Sequence, residues 1–153
     1  MKHTTILALM LLISLSIFSC AEMEESKTLC PVVQKYVEVW NTGNFEGIEN
    51  ILDPKFERRA TPDFEPQIGI EEFKKFVTSV RTQYPDFHLV VDEFFYDDDN
   101  FASRWTITAT NTGPGDFPPT GNKVTVTGIN ILHFKDGKKP NIAPEFIAEL
   151  RNK

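Results

Sequence analysis

The chain has 153 residues, enough for one domain but not for several. Its 22 acidic against 16 basic side chains give a net charge of −6, with no basic stripe. That balance argues against nucleic acid as a partner and against electrostatic attachment to anionic lipid.

The N-terminus reads as an export signal. Met1-Lys2-His3 precedes an apolar run from Ile6 to Phe18, and no Asp or Glu occurs before Glu22. The run is too short to span a bilayer, which takes roughly 20 residues. Ile17-Phe18-Ser19-Cys20 resembles the lipobox of bacterial lipoproteins, with Ser19 as the small residue before the cut. Ile17 stands where Leu is commoner, and Phe18 is bulky for its place. Cleavage before Cys20 with acylation is the favoured expectation, and ordinary cleavage after Ala21 is the alternative. On the favoured reading, residues 1–19 are a signal peptide and 20–29 a tether carrying lipidated Cys20. Residues 30–153 form the domain, with a membrane partner reached through the lipid anchor. The expected location is a bacterial cell envelope, on the outer membrane or cell surface rather than free in the periplasm. Removing residues 1–19 takes away one Lys and no acid, leaving a net charge of −7. With Cys20 acylated, Cys30 has no partner in the chain and reads as an inert thiol.

Pro31 suits the first turn of a helix, and Val33, Tyr36, Val37 and Trp40 recur at helical spacing. Asn41-Thr42-Gly43 stops that helix. Asn44 is placed to cap a second, short one, with Phe45, Ile48, Ile51 and Leu52 inward and Pro54 beyond its end. A short strand is expected within 56–61 and a loop from Pro62 to Pro66. Gly69 opens a third helix with the stripe Ile70, Phe73, Val77 and Val80, and Phe76 alongside. Three stretches then turn strand-like in composition: Phe87 to Tyr96, Phe101 to Thr112 and Val124 to Phe134. Asp97-Asp98-Asp99-Asn100 and Lys135-Asp136-Gly137 read as hairpin turns, and residues 113–123 as a long loop. Helices first and an antiparallel sheet second is an α+β layout. Thirteen Phe supply the means for a curved sheet wrapping a helix around an aromatic-lined cavity.

Several motifs in this order resemble the SnoaL-like polyketide cyclase family of the nuclear transport factor 2-like superfamily. They are Trp40-Asn41-x-Gly43-Asn44, Leu52-x-Pro54, Tyr84-Pro85-Asp86-Phe87 and Arg104-Trp105. They continue with Thr110-Asn111-Thr112-Gly113, Pro118-Pro119-Thr120-Gly121-x-Lys123-Val124, Gly128 and Asp136-Gly137-Lys138. The resemblance implies a cone: a strongly curved antiparallel sheet wrapped on about three N-terminal helices, with a central cavity. It also implies ring closure by aldol chemistry, or isomerisation, dehydration or hydrolysis in relatives. Such chemistry needs a base for a proton α to a carbonyl and a donor for the oxyanion. The family draws the base from an acid on the last strand, soon after an aromatic residue, aided by a His. Here that strand reads Lys139-Pro140-Asn141-Ile142-Ala143-Pro144-Glu145-Phe146-Ile147, where two prolines argue against a central strand. The aromatic position falls on Ala143 and the acid position near Ile147, so Glu145 is the nearest acid. The family's His is Asn111, which can donate a hydrogen bond but cannot act as a base.

His133 shares a face with Ile129 and Ile131 and is the best-placed histidine for acid–base work, so His133 and Glu145 are the catalytic candidates. Tyr36, Trp40, Phe76, His88, Trp105 and Asn111 are the ligand-binding candidates. Arg104 alternates away from Trp105, and a salt bridge to Asp92 or another acid is expected rather than anion binding. The three-Asp turn lacks calcium-loop spacing, and the Gly-Pro-Gly loop lacks a phosphate loop's Gly-Lys-Ser/Thr. No zinc motif or nucleophile elbow occurs in the sequence. Neither a metal nor a cofactor is therefore expected. Three functions stand open: binding of a small hydrophobic molecule, catalysis of the cyclase, isomerase or hydrolase type, and an interaction module or homodimer formed on the open sheet face.

Overall fold

The computed structural model describes residues 29–60, 65–96, 99–135 and 139–152, the last segment and residue 135 as backbone. The expectations for the signal peptide, for Cys20 and most of the tether, and for the turns at 97–98 and 136–137 lie outside the described residues. So does most of the expected loop from Pro62.

Helix α1 spans Pro31–Thr42 and begins at the proline that the first turn tolerates. It ends at Gly43, whose left-handed backbone (φ 71°) lets its N–H reach the Val39 carbonyl at 2.8 Å. Val33, Tyr36, Val39 and Trp40 are buried. Asn44 does not cap the next helix. Its Oδ1 accepts the Glu46 N–H at 3.0 Å in a turn, and α2 forms further on, at Ile48–Ile51. Strands β1 (Glu57–Arg59) and β2 (Gln67–Ile68) follow; the second is too short to show a period in sequence. Helix α3 (Ile70–Gln83) buries Phe73 and Val77 completely.

Strands β3 (His88–Tyr96), β4 (Asn100–Thr110), β5 (Lys123–Lys135) and β6 (Lys139–Asn152) complete a six-stranded sheet in the order β2-β1-β6-β5-β4-β3. All neighbours are antiparallel except β1 and β6. β4 and β5 stay in unbroken register from Asn100↔His133 to Thr110↔Lys123. Register shifts occur at Val91/Glu93 in β3 and at Thr127/Gly128 and His133/Phe134 beside β6. Such bulges bend a strand and increase its twist, which lets the sheet curve around the helices.

The final segment corrects the expectation drawn from its prolines. β6 lies inside the sheet, between β5 and β1. Pro140 sits at the start of the strand, opposite Phe134 and beside the register shift. Pro144 stands opposite Arg59, the last residue of three-residue β1. On its other side the register passes from Asn130↔Glu145 to His133↔Ile142. Strand starts and bulges are where a missing N–H costs least.

The core is aromatic. Tyr36 stacks on Phe73 (5.5 Å), Trp40 meets Phe73 edge-on (5.7 Å) and stacks on Phe87 (5.6 Å), and Phe56 closes on Phe73 (5.5 Å). Each such pair adds about 0.5–1.5 kcal/mol beyond burial. Polar pins fix helices to sheet. The Asn41 amide donates to the Leu89 carbonyl (2.9 Å) and its oxygen accepts the Leu89 N–H (2.7 Å), satisfying the edge strand β3. Arg81 donates to the carbonyls of Trp40 (3.0 Å) and Phe87 (3.3 Å). Gly113 passes so close to α3 that a Cβ there would lie 1.7 Å from the Thr82 carbonyl oxygen, so glycine at this position is a packing requirement.

Candidate ligand-binding site

A cavity of about 470 Å³ lies between α1, α3 and the inner face of the sheet. Its walls follow from the two periodicities. Helix α1 contributes Val33, Tyr36, Val37 and Trp40, and α3 contributes Phe76 and Val80. β4 contributes every second residue, Phe101, Ser103, Trp105, Ile107 and Ala109. Val124, Val126, Asn130 and Leu132 from β5 and Leu89 and Val91 from β3 complete the sheet side. The volume falls in the range of small-molecule sites, roughly 300–1,000 Å³, which are mostly apolar with a few placed polar groups.

Those polar groups are specific. Arg58, in the middle of β1, is only 6% exposed and lines the cavity. Its Nη1 donates to Gln67 Oε1 at 2.7 Å, directly across the β1–β2 pair. The guanidinium carbon lies 4.5 Å from the Phe76 ring centre and 5.4 Å from that of Trp40. Desolvated contacts of this kind are worth about 2 kcal/mol. Facing them on the sheet, the Ser103 hydroxyl donates to Asn130 Oδ1. The two residues are cross-strand partners, and both are buried. No Asp, Glu or His occurs among the described lining residues. No group of three or more metal-ligating side chains occurs among the described residues either.

Of the expected ligand-binding residues, Tyr36, Trp40, Phe76 and Trp105 line the cavity. His88 does not. It is exposed on the outer face with Val90, while the shift at Val91/Glu93 turns Phe94 inward to stack on Phe101 at 5.7 Å. Asn111 is buried but lies beyond the lining; its backbone closes the 111–122 connection by bonds to Asn122 (3.0 Å) and Gly121 (2.8 Å). His133 alternates with Leu132 onto the outer face, and its Nδ1 pairs with Asn100 Oδ1 at 2.7 Å. It does not reach the cavity. Glu145 is described as backbone, in register with Asn130. Arg104 bonds Asp92 (2.9 Å) and Glu93 (3.3 Å) outside, as its alternation with Trp105 implied.

Arg58, Ser103 and Asn130 escaped the sequence reading. Ser103 and Asn130 carried a signal: each is the polar interruption of an inward apolar series, Phe101-x-Ser103-x-Trp105 and Asn130-x-Leu132. Arg58 carried none, because a three-residue strand has no period to read.

A curved antiparallel sheet closed by N-terminal helices over an internal cavity defines the nuclear transport factor 2-like cone. Residues 31–140 match the model of the SnoaL-like polyketide cyclase family, and the chain belongs to that family. Among solved structures it is similar to AclR from Streptomyces galilaeus, a hydroxylase candidate, at 25% identity and a TM-score of 0.62, over 76% of this chain and 75% of that one. It is also similar to a SnoaL-like polyketide cyclase candidate from Jannaschia sp. CCS1, at 19% identity and a TM-score of 0.65, over 80% and 91%. SalBIII, described as an epoxide hydrolase/cyclase-like enzyme with a role in pyran ring formation in polyether salinomycin, superposes at 13% identity and a TM-score of 0.63, over 76% and 88%. Comparison with curated protein sequences gives no match.

Proposed function

We propose that this protein is an exported lipoprotein, anchored through Cys20, whose cone holds a small and largely apolar molecule. The observation that carries the reading is the cavity itself: aromatic and aliphatic walls with Arg58, Ser103 and Asn130 as placed polar groups. Native mass spectrometry of the protein taken from its membrane fraction tests both halves. The expected spectrum shows a mass increase on Cys20 that Cys20→Ser removes. It also shows a non-covalent small-molecule adduct that Ala109→Phe, which fills the cavity, removes. An unmodified Cys20 rejects the anchor, and an adduct that persists in Ala109→Phe rejects the cavity as its site.

A second reading keeps the family's enzyme chemistry, and one observation favours it. The backbone of Glu145 is in register with Asn130, whose Oδ1 accepts the Ser103 hydroxyl. On this reading Glu145 removes a proton α to a carbonyl, and Asn130 donates to the developing oxyanion. Exchange of the methyl protons of acetonaphthone in heavy water is the test. Catalysed exchange that Glu145→Gln abolishes and His133→Gln leaves intact supports it. Equal exchange with and without protein contradicts it.

A further inference from the structure

We propose that Trp105 is the residue that reads the ligand: its indole face takes a flat, unsaturated ring, and its N–H donates to an uncharged oxygen acceptor on that ring, such as a carbonyl. This rests on the cavity being a ligand site.

Both tryptophans of the chain line the cavity, and their surroundings differ. Trp40 is boxed in. Four rings surround it, Tyr36 at 6.4 Å, Phe73 at 5.7 Å, Phe76 at 6.0 Å and Phe87 at 5.6 Å, and the Arg58 guanidinium lies over it at 5.4 Å. Trp105 has no such company. Among the described residues no aromatic ring or cation packs on its indole, and no acceptor takes its N–H. Yet the residue is only 6% exposed. A buried tryptophan usually finds a partner for its N–H, and a buried donor left unpaired is costly. The Trp40 N–H is likewise unpaired, so what sets Trp105 apart is an uncovered ring face beside an unpaired donor.

The sheet leaves room next to it. Trp105 is in register with Val91 on β3 and with Gly128 on β5. Val126 and Asn130, two positions before and after Gly128, line the cavity, so Gly128 shares their face and interrupts that wall with no side chain. Its φ is not positive, so the backbone itself does not call for glycine there. A glycine inside a strand often marks close approach by another group.

The ligand chemistry follows from the indole. Its face favours a flat aromatic or conjugated ring in offset or edge-on contact. Its N–H is a donor only, so the partner is an acceptor. A neutral donor does not offset the cost of burying an ionised group, so that acceptor is uncharged.

The test uses the full-length protein and two probes of one shape: acetonaphthone, and isopropenylnaphthalene, in which a methylene replaces the carbonyl oxygen. Affinities come from tryptophan quenching, and proton–nitrogen NMR of the two indole N–H groups locates the contact. Acetonaphthone should bind several-fold tighter, the size that one neutral hydrogen bond supports. It should move the Trp105 N–H signal downfield and leave that of Trp40 in place, and isopropenylnaphthalene should cause no such shift. Trp105→Phe keeps a ring, loses the N–H and should bring the two affinities level, with Trp40 reporting the binding. Gly128→Val should weaken both probes about tenfold by closing the space beside the indole. Should it fail to fold by near-ultraviolet circular dichroism, Gly128→Ala takes its place and should weaken both several-fold. Equal binding of the two probes by the wild-type protein overturns this inference and leaves the cavity reading standing. So do a downfield shift at Trp40 instead, a preference that survives Trp105→Phe, and affinities that ignore Gly128. Failure of both probes to bind overturns the cavity reading together with it.

Discussion

The two faces of strands β4 and β5 make opposite use of one stretch of chain. Inward, Phe101, Trp105, Ile107, Ala109, Val124, Val126 and Leu132 build an apolar wall with Ser103 and Asn130 set into it. Outward, Arg104 bridges Asp92 and Glu93, Thr106 donates to Asp92 at 2.7 Å, and His133 pairs with Asn100. His133, read in sequence as the catalytic candidate of these two strands, sits on the outer face, as does Arg104. The inner face is the cavity wall. Reactivity in a strand is therefore decided by the parity of a residue before its chemical type matters.

That contrast can be broken from the inside with the largest effect. Phe73 is fully buried and touches Tyr36, Trp40 and Phe56. Phe73→Ala should cost about 3–5 kcal/mol in urea unfolding. Next comes the pin between helix and edge strand: Asn41→Ala strips Leu89 of both bonds and should cost about 1–3 kcal/mol by the same measurement.

Asp86 gives a smaller, pH-dependent effect. Its carboxylate accepts the Thr110 hydroxyl and the Thr110 N–H, each at 2.6 Å. The hydroxyl bond first, then the backbone bond, holds its pKa below the ordinary Asp value. A pKa depressed on folding adds stability above the unfolded pKa, and that stability is lost as pH falls through the folded value. Asp86→Asn should therefore lower the melting temperature at neutral pH and flatten its decline in acid. An unchanged acid limb would show that the bond to Thr110 contributes nothing.

The smallest effects belong to the outer face. His133→Gln should leave ligand affinity unchanged, and Arg104→Ala, which removes exposed ion pairs, should barely move the unfolding midpoint. A large loss of binding in either would mean that the two faces are coupled.

Much of this architecture is legible in the sequence where periods are long. The stripes of α1 and α3 and the composition of β3, β4 and β5 locate those elements to within a residue or two, and the motif order points to the cone. Tyr36, Trp40, Phe76 and Trp105 follow as wall residues. The illegible parts have local causes. A bulge after Val91 reverses parity, so His88 and Phe94 part company. β6 looks excluded by Pro140 and Pro144 until register shows one at a strand start beside a shift and the other facing the end of β1. Arg58 sits in three residues of strand. Ser103 and Asn130 become a pair only when β4 and β5 are aligned, since 27 positions separate them.

The most direct test of a ligand cavity on the inner face compares neighbours of opposite parity. Ala109 lines the cavity, and Thr108 lies on the other side of the same strand. In wild-type protein, naphthamide should quench tryptophan fluorescence saturably. Ala109→Phe should abolish that quenching, while Thr108→Phe preserves it. Saturable quenching that survives Ala109→Phe, or that both substitutions remove alike, would contradict the account.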